Sequence, residues 1–244
     1  MCKIDINCDM GEGFGNEELL MPYISSCSIA CGGHFGSADS INKTLQLAKH
    51  FGVKVGAHPA YPDPENFGRK SMKLTNQQLK ESLEKQLNLF IACCKQSNST
   101  INHIKPHGAF YNDLFHDSDG VLIFINVILE ILPQVEIYCA PGSLLESEAL
   151  KVGLSTKREG FMDRSYNADG TLRSRLLDGA VLTDFEQVGN QVVQVVKEKS
   201  VPVFNQKSIP LSIQTLCLHG DNPKASDLIK YINQLLKLEG IEVQ

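Results

Sequence analysis

Apolar and polar residues alternate strictly from Ile4 to Met10, near the start of the chain, and this is the period of a β-strand. A strand in a parallel sheet is usually apolar on both faces because helices cover it, so a polar face here needs a reason. Two interpretations are open from this stretch alone. It is an antiparallel edge strand whose polar face meets water, or a barrel strand whose polar side chains enter an active site. The polar face carries Asp5, Asn7 and Asp9.

The same periodicities predict six further strands, with helical segments between them. Strands are expected from residue 28 and over 53–58, 102–107, 135–140, 154–161 and 215–219. Helices are expected over 17–24, from Asp39 or Ser40 to His50, from a Thr75 cap to 97, and over 117–132, 143–152, 184–199 and 224–238. Residues 162–182 have a loop-like composition. This alternation has no linker, so it predicts one domain over residues 1–244 with a parallel sheet.

Nearly every predicted strand ends in polar residues close to glycine. In an open doubly wound sheet, ligand-binding residues gather at one switch point, whereas in a barrel all strand ends surround one mouth. The sequence therefore favours an α/β fold of the (β/α)-barrel type with seven parallel strands. The strand-end residues are Asp9, Glu12, His34, His58, Lys105, His107, Ser143, Asp163, Arg164, His219 and Asp221.

Composition and charge narrow the function classes. The 244 residues are 42% hydrophobic, which suits one barrel-sized domain. A net charge of −5 without any basic run argues against nucleic acid. The longest apolar run, 121–132, is too short and polar to cross a bilayer, and no signal-peptide pattern is visible. Eight cysteines without a Cys-x-x-Cys pair are typical of reduced thiols, so we expect a soluble cytoplasmic protein.

The fourth predicted strand places three basic side chains, His103, Lys105 and His107, on one face. A lysine directed into a closed lumen costs several kcal/mol unless a carboxylate is near. Asp5 and Asp9 of the first strand are the candidate partners. A Lys–Asp pair beside a histidine is also what general acid–base catalysis requires.

Two other chemistries stay open at the strand ends. The histidines at 34, 58, 107 and 219, with Asp9 and Asp221, could bind zinc or iron, although no local metal motif such as His-Glu-x-x-His is present. Cys31 beside His34 could be a thiolate nucleophile, but a cysteine at a strand end is more often a packed residue.

No phosphate-binding loop is recognisable in the chain. The glycines at 11, 13 and 15 do not form a dinucleotide fingerprint, because the third comes one place early, and no Walker-type Gly-Lys-Ser/Thr occurs. Arg69 and Arg164 follow Gly-Phe-containing loops and are candidate clamps for a carboxylate or a phosphate.

With these residues in view, the chain closely resembles the LamB/YcsF family. The resemblance implies a seven-stranded (β/α) barrel related to carbohydrate deacetylases. It also implies the reaction of an ATP-dependent 5-oxoprolinase, in which 5-oxo-L-proline becomes L-glutamate with ATP hydrolysis. Separate B and C subunits would be its partners, ATP with Mg²⁺ would bind in the assembled enzyme, and no tightly bound cofactor is expected. The matching segments are 4–15 (IDINCDMGEGFG), 29–36 (IACGGHFG), 55–69 (VGAHPAYPDPENFGR), 104–112 (IKPHGAFYN), 160–170 (GFMDRSYNADG), 178–181 (DGAV) and 216–221 (LCLHGD).

In this interpretation Asp9, with Glu12 beside it, activates water, His107 carries a proton to the ring nitrogen, and Lys105 stabilises a developing oxyanion. Two alternatives are kept: a stand-alone metal-dependent C–N hydrolase of the deacetylase kind, and a non-catalytic subunit that only holds 5-oxoproline. A homo-oligomer is also open, and neither nucleic acid nor a membrane is expected as a partner. The predicted substrate-binding residues are Asn7, His34, His58, Arg69, Tyr111, Asn112, Asp163, Arg164 and His219.

Overall fold

Seven parallel strands close into a barrel in the computed structural model, which describes residues 2–244. The first strand pairs with both the second and the last of the seven, and this double pairing closes the sheet. The predicted seven-stranded (β/α) barrel is therefore confirmed. The barrel strands are β1 (Cys2–Met10), β2 (Ser26–Ala30), β3 (Lys54–His58), β4 (Ile101–Ile104), β5 (Glu136–Cys139), β6 (Thr156–Phe161) and β9 (Thr215–Leu218).

Helices surround the barrel, and all but one of them lie where the sequence predicts a helix. The helices are α1 (Glu17–Leu20), α2 (Ala38–Phe51), α3 (Asn76–Ser97), α4 (Gly108–Asp113), α5 (Ser118–Ile131), α6 (Leu144–Lys151), α7 (Phe185–Val193) and α8 (Ala225–Leu238), with a 3₁₀ turn at Met21–Tyr23 and a π-helical end at Gln194–Glu198. Thr75 caps α3, as expected, because its hydroxyl accepts from the Gln78 amide while the Gln78 side chain reaches back. The predicted caps of α2 are wrong: Ser37 makes the capping box with Ser40, and Asp39 lies in the first turn.

Four short elements, one helix and three strands, lie outside the predicted pattern. The fourth strand ends at Ile104 rather than at residue 107, and α4 follows at Gly108. A two-residue hairpin, β7 (Ser200–Val201) and β8 (Ile209–Pro210), follows α7, and β10 (Ile241–Val243) extends the sheet beside the start of β1. Such two- and three-residue strands are too short to show a periodicity in the sequence.

The polar face of β1 points into the barrel. Asp5, Asn7 and Asp9 are at most 4% exposed, so the edge-strand interpretation is excluded. Asn7 donates to Glu159 of β6 and to Thr215 of β9, which lie across and beside it in the lumen. A closed lumen that contains these groups must pair each of them internally.

Two residues that share a predicted strand face with active-site residues, Asp5 and His103, lie in the lower half of the lumen. Asp5 was a candidate partner of Lys105, and this prediction is wrong: Asp5 instead accepts from Ser26 at 2.9 Å and from Thr215 at 2.5 Å. His103 is fully buried, contacts Ser28 Oγ at 3.1 Å, and stacks on Tyr138. Both residues lie below the carboxyl ends of the strands, so they line the barrel interior without reaching its mouth.

In the part of the chain that the structure describes, no helix combines the length and the apolar character that a membrane span needs.

Candidate active site

A cavity of about 620 Å³ opens at the carboxyl ends of the strands. Most of the predicted site residues line it, and three lie one layer behind its wall: Asn7, His34 and Asp163. The structure therefore brings the whole predicted set together at one end of the barrel. The predicted residues that line the cavity are Asp9, Glu12, His58, Arg69, Lys105, His107, Tyr111, Asn112, Arg164 and His219.

Lys105 is the centre of the cavity floor and is only 2% exposed. Its Nζ lies 2.8 Å from Asp9 Oδ1, 2.9 Å from Glu159 Oε1 and 3.2 Å from Asn7 Oδ1, with Cys217 Sγ at 3.1 Å. An ammonium has three protons to donate, so these acceptors use all of them. A substrate oxyanion could contact Lys105 only by replacing one of these acceptors.

The contact between Lys105 and Asp9 fixes the charge of both groups. Burial pulls the Lys105 pKa down most strongly, but Asp9, Cys217 and Glu159 together hold that pKa well above its usual range. Burial likewise favours a protonated Asp9, yet His58 and Lys105 bring the Asp9 pKa well below its usual range. Asp9 is thus an ionised carboxylate at the bottom of a cavity, which is the form that a general base needs.

Two histidines from neighbouring strand ends meet beside Asp9. His58 Nδ1 lies 2.7 Å from the Lys105 carbonyl oxygen, and His107 Nε2 lies 2.9 Å from the Phe67 carbonyl oxygen. A carbonyl oxygen only accepts, so both of these nitrogens carry protons. The two remaining nitrogens, His58 Nε2 and His107 Nδ1, face each other at 3.0 Å. The space between these two nitrogens can therefore hold one proton or one cation.

Glu12 and His34 both contact His107. His34 Nε2 donates to Glu12 Oε1 at 2.8 Å, and the same oxygen lies 3.3 Å from His107 Nδ1. The His34 ring stacks on His107 with centroids 3.6 Å apart. Burial lowers the pKa of His34, and burial with the neighbouring charges of His34 and His58 holds the pKa of His107 well below its usual range. His34 therefore positions Glu12 and His107 and does not line the cavity.

The loop between β3 and α3 adopts a strained conformation at Phe67. Its φ of 54° lies in the left-handed region, which a bulky side chain rarely adopts. The strained peptide aims the Phe67 carbonyl oxygen at His107. Gly108 makes the close approach possible, because a Cβ at this position would lie 2.6 Å from the Gly68 carbonyl oxygen. Local strain of this kind is common where a functional side chain must be held in one orientation.

On the opposite wall, Asp163 orients His219. His219 Nδ1 lies 2.9 Å from Asp163 Oδ1, and Asn222 donates to the other oxygen at 3.1 Å. Although burial acts most strongly and in the other direction, the bonds to His219 and Asn222 lower the Asp163 pKa. The His219 ring stacks on Phe161 and lines the cavity.

Two residues that contact Lys105, namely Glu159 and Cys217, are not among the site residues predicted from the sequence. Glu159 is a buried carboxylate within the predicted sixth strand, which is the same signal that Asp9 gives in the first strand. Cys217 touches Lys105, but nothing in its sequence context distinguishes it from a packed thiol. Cys31, the possible nucleophile, is fully buried and burial raises its pKa to about 12, so it is a neutral thiol.

Three groups of side chains have ligand atoms close enough for one metal ion. The group of Asp9, His58 and His107 offers a carboxylate and two imidazoles, which is a donor set that catalytic zinc takes. Its imidazoles also donate their far N–H groups to carbonyl oxygens, as metal-bound histidines usually do. The other two groups are Asp9, Cys217 and His219, and Glu12, His34 and His107.

Comparison with known proteins places this geometry in a family. The sequence pattern of the LamB/YcsF family matches residues 4–244. The chain belongs to the LamB/YcsF family. Two of its relatives are the A subunits of 5-oxoprolinase from Pyrococcus furiosus and from Clostridium beijerinckii. The first is 39% identical over 99% of this chain and 96% of its own length, and the second is 37% identical over 100% and 97%.

Solved structures support the fold of this LamB/YcsF member. The lactam utilization protein from Thermus thermophilus superimposes with a TM-score of 0.91 at 32% identity, over 99% of both chains. A T48 deacetylase solved with substrate reaches a TM-score of 0.51 at 12% identity, over 100% of this chain and 87% of its own. At that identity the likeness extends to the barrel alone.

Proposed function

We propose that this chain is the A subunit of an ATP-dependent 5-oxoprolinase and opens the ring of 5-oxo-L-proline to give L-glutamate. The relatives named as 5-oxoprolinase A subunits and the related lactam utilization protein support the substrate class. The observation that carries the proposal is the cavity floor, where Lys105 holds Asp9 ionised beside the His58–His107 pair. Ring opening needs a base for water and an acid for nitrogen, and the floor supplies both.

The chemistry follows from the weak reactivity of an amide. Phosphorylation of the lactam oxygen by ATP makes the ring carbon electrophilic. Water adds to that carbon while Asp9 takes its proton, and this proton passes through His58 Nε2 and His107 Nδ1 to the ring nitrogen as the C–N bond breaks. The open-chain acyl phosphate then takes a second water, which releases phosphate and leaves glutamate. Lys105 serves this sequence by keeping Asp9 ionised and oriented, since its own protons are already donated.

A division of labour among subunits is part of the proposal. The chain has no recognisable phosphate-binding loop, so we assign phosphoryl transfer, with ATP and Mg²⁺, to the assembly with the B and C subunits. The relatives are themselves named as one lettered subunit of an enzyme, which supports such partners.

Seven of the eight free cysteines are buried, which suits a reducing cytoplasm as the compartment.

The isolated chain should therefore form no glutamate. We expect neither ATP hydrolysis nor 5-oxoproline conversion with the chain alone, and ATP-dependent glutamate release once the B and C subunits are added. The measurement is glutamate release from each subunit singly and from the full mixture. Steady ATP-dependent glutamate formation by this chain alone would contradict the division of labour.

A second candidate function, a metal-dependent C–N hydrolase, is favoured by one observation. His58 Nε2, His107 Nδ1 and an Asp9 oxygen converge with their far protons donated to carbonyl oxygens. These residues would hold a divalent ion such as zinc, and the ion would supply Lewis-acid activation of water. Asp9 and Glu12 would then balance its charge.

Metal analysis separates the two candidates. For the 5-oxoprolinase we expect full activity of the assembled enzyme after treatment with a chelator, once the magnesium for ATP is restored. The content of zinc and iron per chain is measured before and after that treatment. One tightly bound ion per chain that turnover requires would establish the second candidate instead.

A further inference from the structure

The rim of the cavity carries an excess of positive charge. Three arginines and a lysine line it: Arg69, Lys70, Arg164 and Arg175. Of the acidic residues that line the cavity, Asp9 faces Lys105 and Glu12 faces the histidines, so that Asp221 is the carboxylate that faces the arginines. The four cations therefore exceed their local acidic partner by about three charges at neutral pH.

Asp221 bridges two of the rim arginines, Arg69 and Arg175. Arg69 Nη2 binds Asp221 Oδ2, and Arg175 contacts the same carboxylate through Nη1 at 2.9 Å and Nη2 at 3.4 Å. The two arginine side chains remain 37% and 24% exposed, so a ligand entering the cavity can reach them. Two guanidinium groups that converge on one carboxylate have the geometry that binds a multivalent oxyanion.

The loop that supplies Arg175 is anchored by Arg164. Arg164 is 4% exposed and donates from Nε to the Ala180 carbonyl oxygen and from Nη2 to the Arg173 carbonyl oxygen. Burial, and then the nearby charge of Arg175, lowers the Arg164 pKa to about 10. A bound anion beside Arg175 would offset this repulsion between the two guanidinium groups.

We propose that Arg69, Lys70 and Arg175 form a subsite for a phosphoryl dianion at the rim of the cavity. A lone carboxylate, such as that of 5-oxoproline, needs one arginine, whereas a dianion with three oxygens matches two guanidinium forks and a lysine. The cavity volume of about 620 Å³ is also in the range that holds drug-sized ligands, and one five-membered ring would leave much of it empty.

This inference rests on the proposed function and names the form of the substrate. The lactam would enter with its oxygen already phosphorylated, its phosphoryl group on the rim and its ring carbon above Asp9 and His107. When water adds and the C–N bond breaks, the phosphoryl group stays on the open-chain acyl phosphate. Hydrolysis by a second water releases inorganic phosphate at the same subsite, so phosphate alone is a probe for it.

The test measures inorganic phosphate binding to the isolated chain by calorimetry, without any turnover. Arg175→Gln should weaken binding about tenfold or more, because it removes charge-assisted hydrogen bonds. Asp221→Asn should tighten it, because the competing carboxylate is gone. Arg158→Gln is the matched control: Arg158 pairs with Glu146 outside the cavity lining, and its loss should leave phosphate affinity unchanged.

Weaker phosphate binding in Arg175→Gln together with tighter binding in Asp221→Asn supports the subsite. Weaker binding in both variants, or no phosphate binding by the wild type, overturns it. Where Arg175→Gln does not fold, Lys70→Gln replaces it, because Lys70 is exposed, and an unchanged affinity there overturns the subsite as well. The same calorimetric measurement is repeated with ADP as the ligand. ADP binding that exceeds phosphate binding and is lost in Arg175→Gln would assign the rim to a nucleotide and overturn the substrate assignment. Because no lactam is present, the result is independent of whether the assembled enzyme forms glutamate.

Discussion

Replacing Lys105 by methionine should abolish glutamate formation and lower the free energy of unfolding by about 3–5 kcal/mol. The ammonium bridges Asp9 and Glu159, which are both buried, and its removal leaves two carboxylates without their cation. For a domain of this size the loss corresponds to a melting temperature lower by roughly 6–20 °C. Thermal and urea denaturation measure the stability, and the glutamate assay of the assembled enzyme measures the activity.

Rescue variants identify the cause of this loss. Asp9→Asn together with Lys105→Met should regain part of the stability, and adding Glu159→Gln should regain more, because each change removes one stranded charge. None of these variants should regain activity. Lys80→Met is the control, since Lys80 pairs with Glu130 on the surface and such pairs contribute little. Single variants that melt like the wild type, with additive combinations, would show that the buried contact is absent.

Substitution of the two facing histidines should cost about 10²–10⁴-fold in the glutamate formation rate of the assembled enzyme. The variants are His107→Gln, which keeps a donor near the Phe67 carbonyl oxygen, and His58→Asn, which keeps one near the Lys105 carbonyl oxygen. His34→Gln should cost less, because His34 lies behind Glu12 and outside the cavity wall. His50→Gln, an exposed position on α2, is the matched control and should be neutral.

The ranking among the three histidines is what this experiment decides. All three lie at or shortly after a strand end, and their positions in the sequence do not rank them. If His34→Gln were as damaging as His107→Gln while the His58 variant kept its activity, the proton path would run through Glu12 and His34. The proposed roles of the cavity-lining pair would then be wrong.

The fold was predictable because its signal is local. The alternation of β1 and the regular succession of strands and helices required only short windows of sequence, and the seven strands of the barrel all appear. The contact between Asp9 and Lys105 was also accessible, because two polar strands in one closed lumen must satisfy each other. Asp5 could not be excluded in this way, since its height in the barrel depends on the register between strands.

The remaining site features depend on contacts between distant segments. The Phe67 carbonyl that holds His107 and the Asp221 bridge between Arg69 and Arg175 arise from loops whose conformation no periodicity encodes. The contacts of His58 and His107 with each other and with backbone carbonyl oxygens likewise become visible only once the strand ends are placed around one mouth. The sequence therefore did not predict the conformations of the loops or the positions of side chains along the barrel axis.

The most direct test of the central claim follows ADP and glutamate together in an enzyme assembled from the Asp9→Asn chain and its partner subunits. The proposed function assigns ring opening to this chain and phosphoryl transfer to the assembly, so we expect a first turnover of ADP while glutamate formation falls by about 10²–10⁴-fold. Glutamate formed at the wild-type rate would contradict the role of Asp9. Loss of ADP and glutamate together would place phosphoryl transfer on this chain and contradict the division of labour.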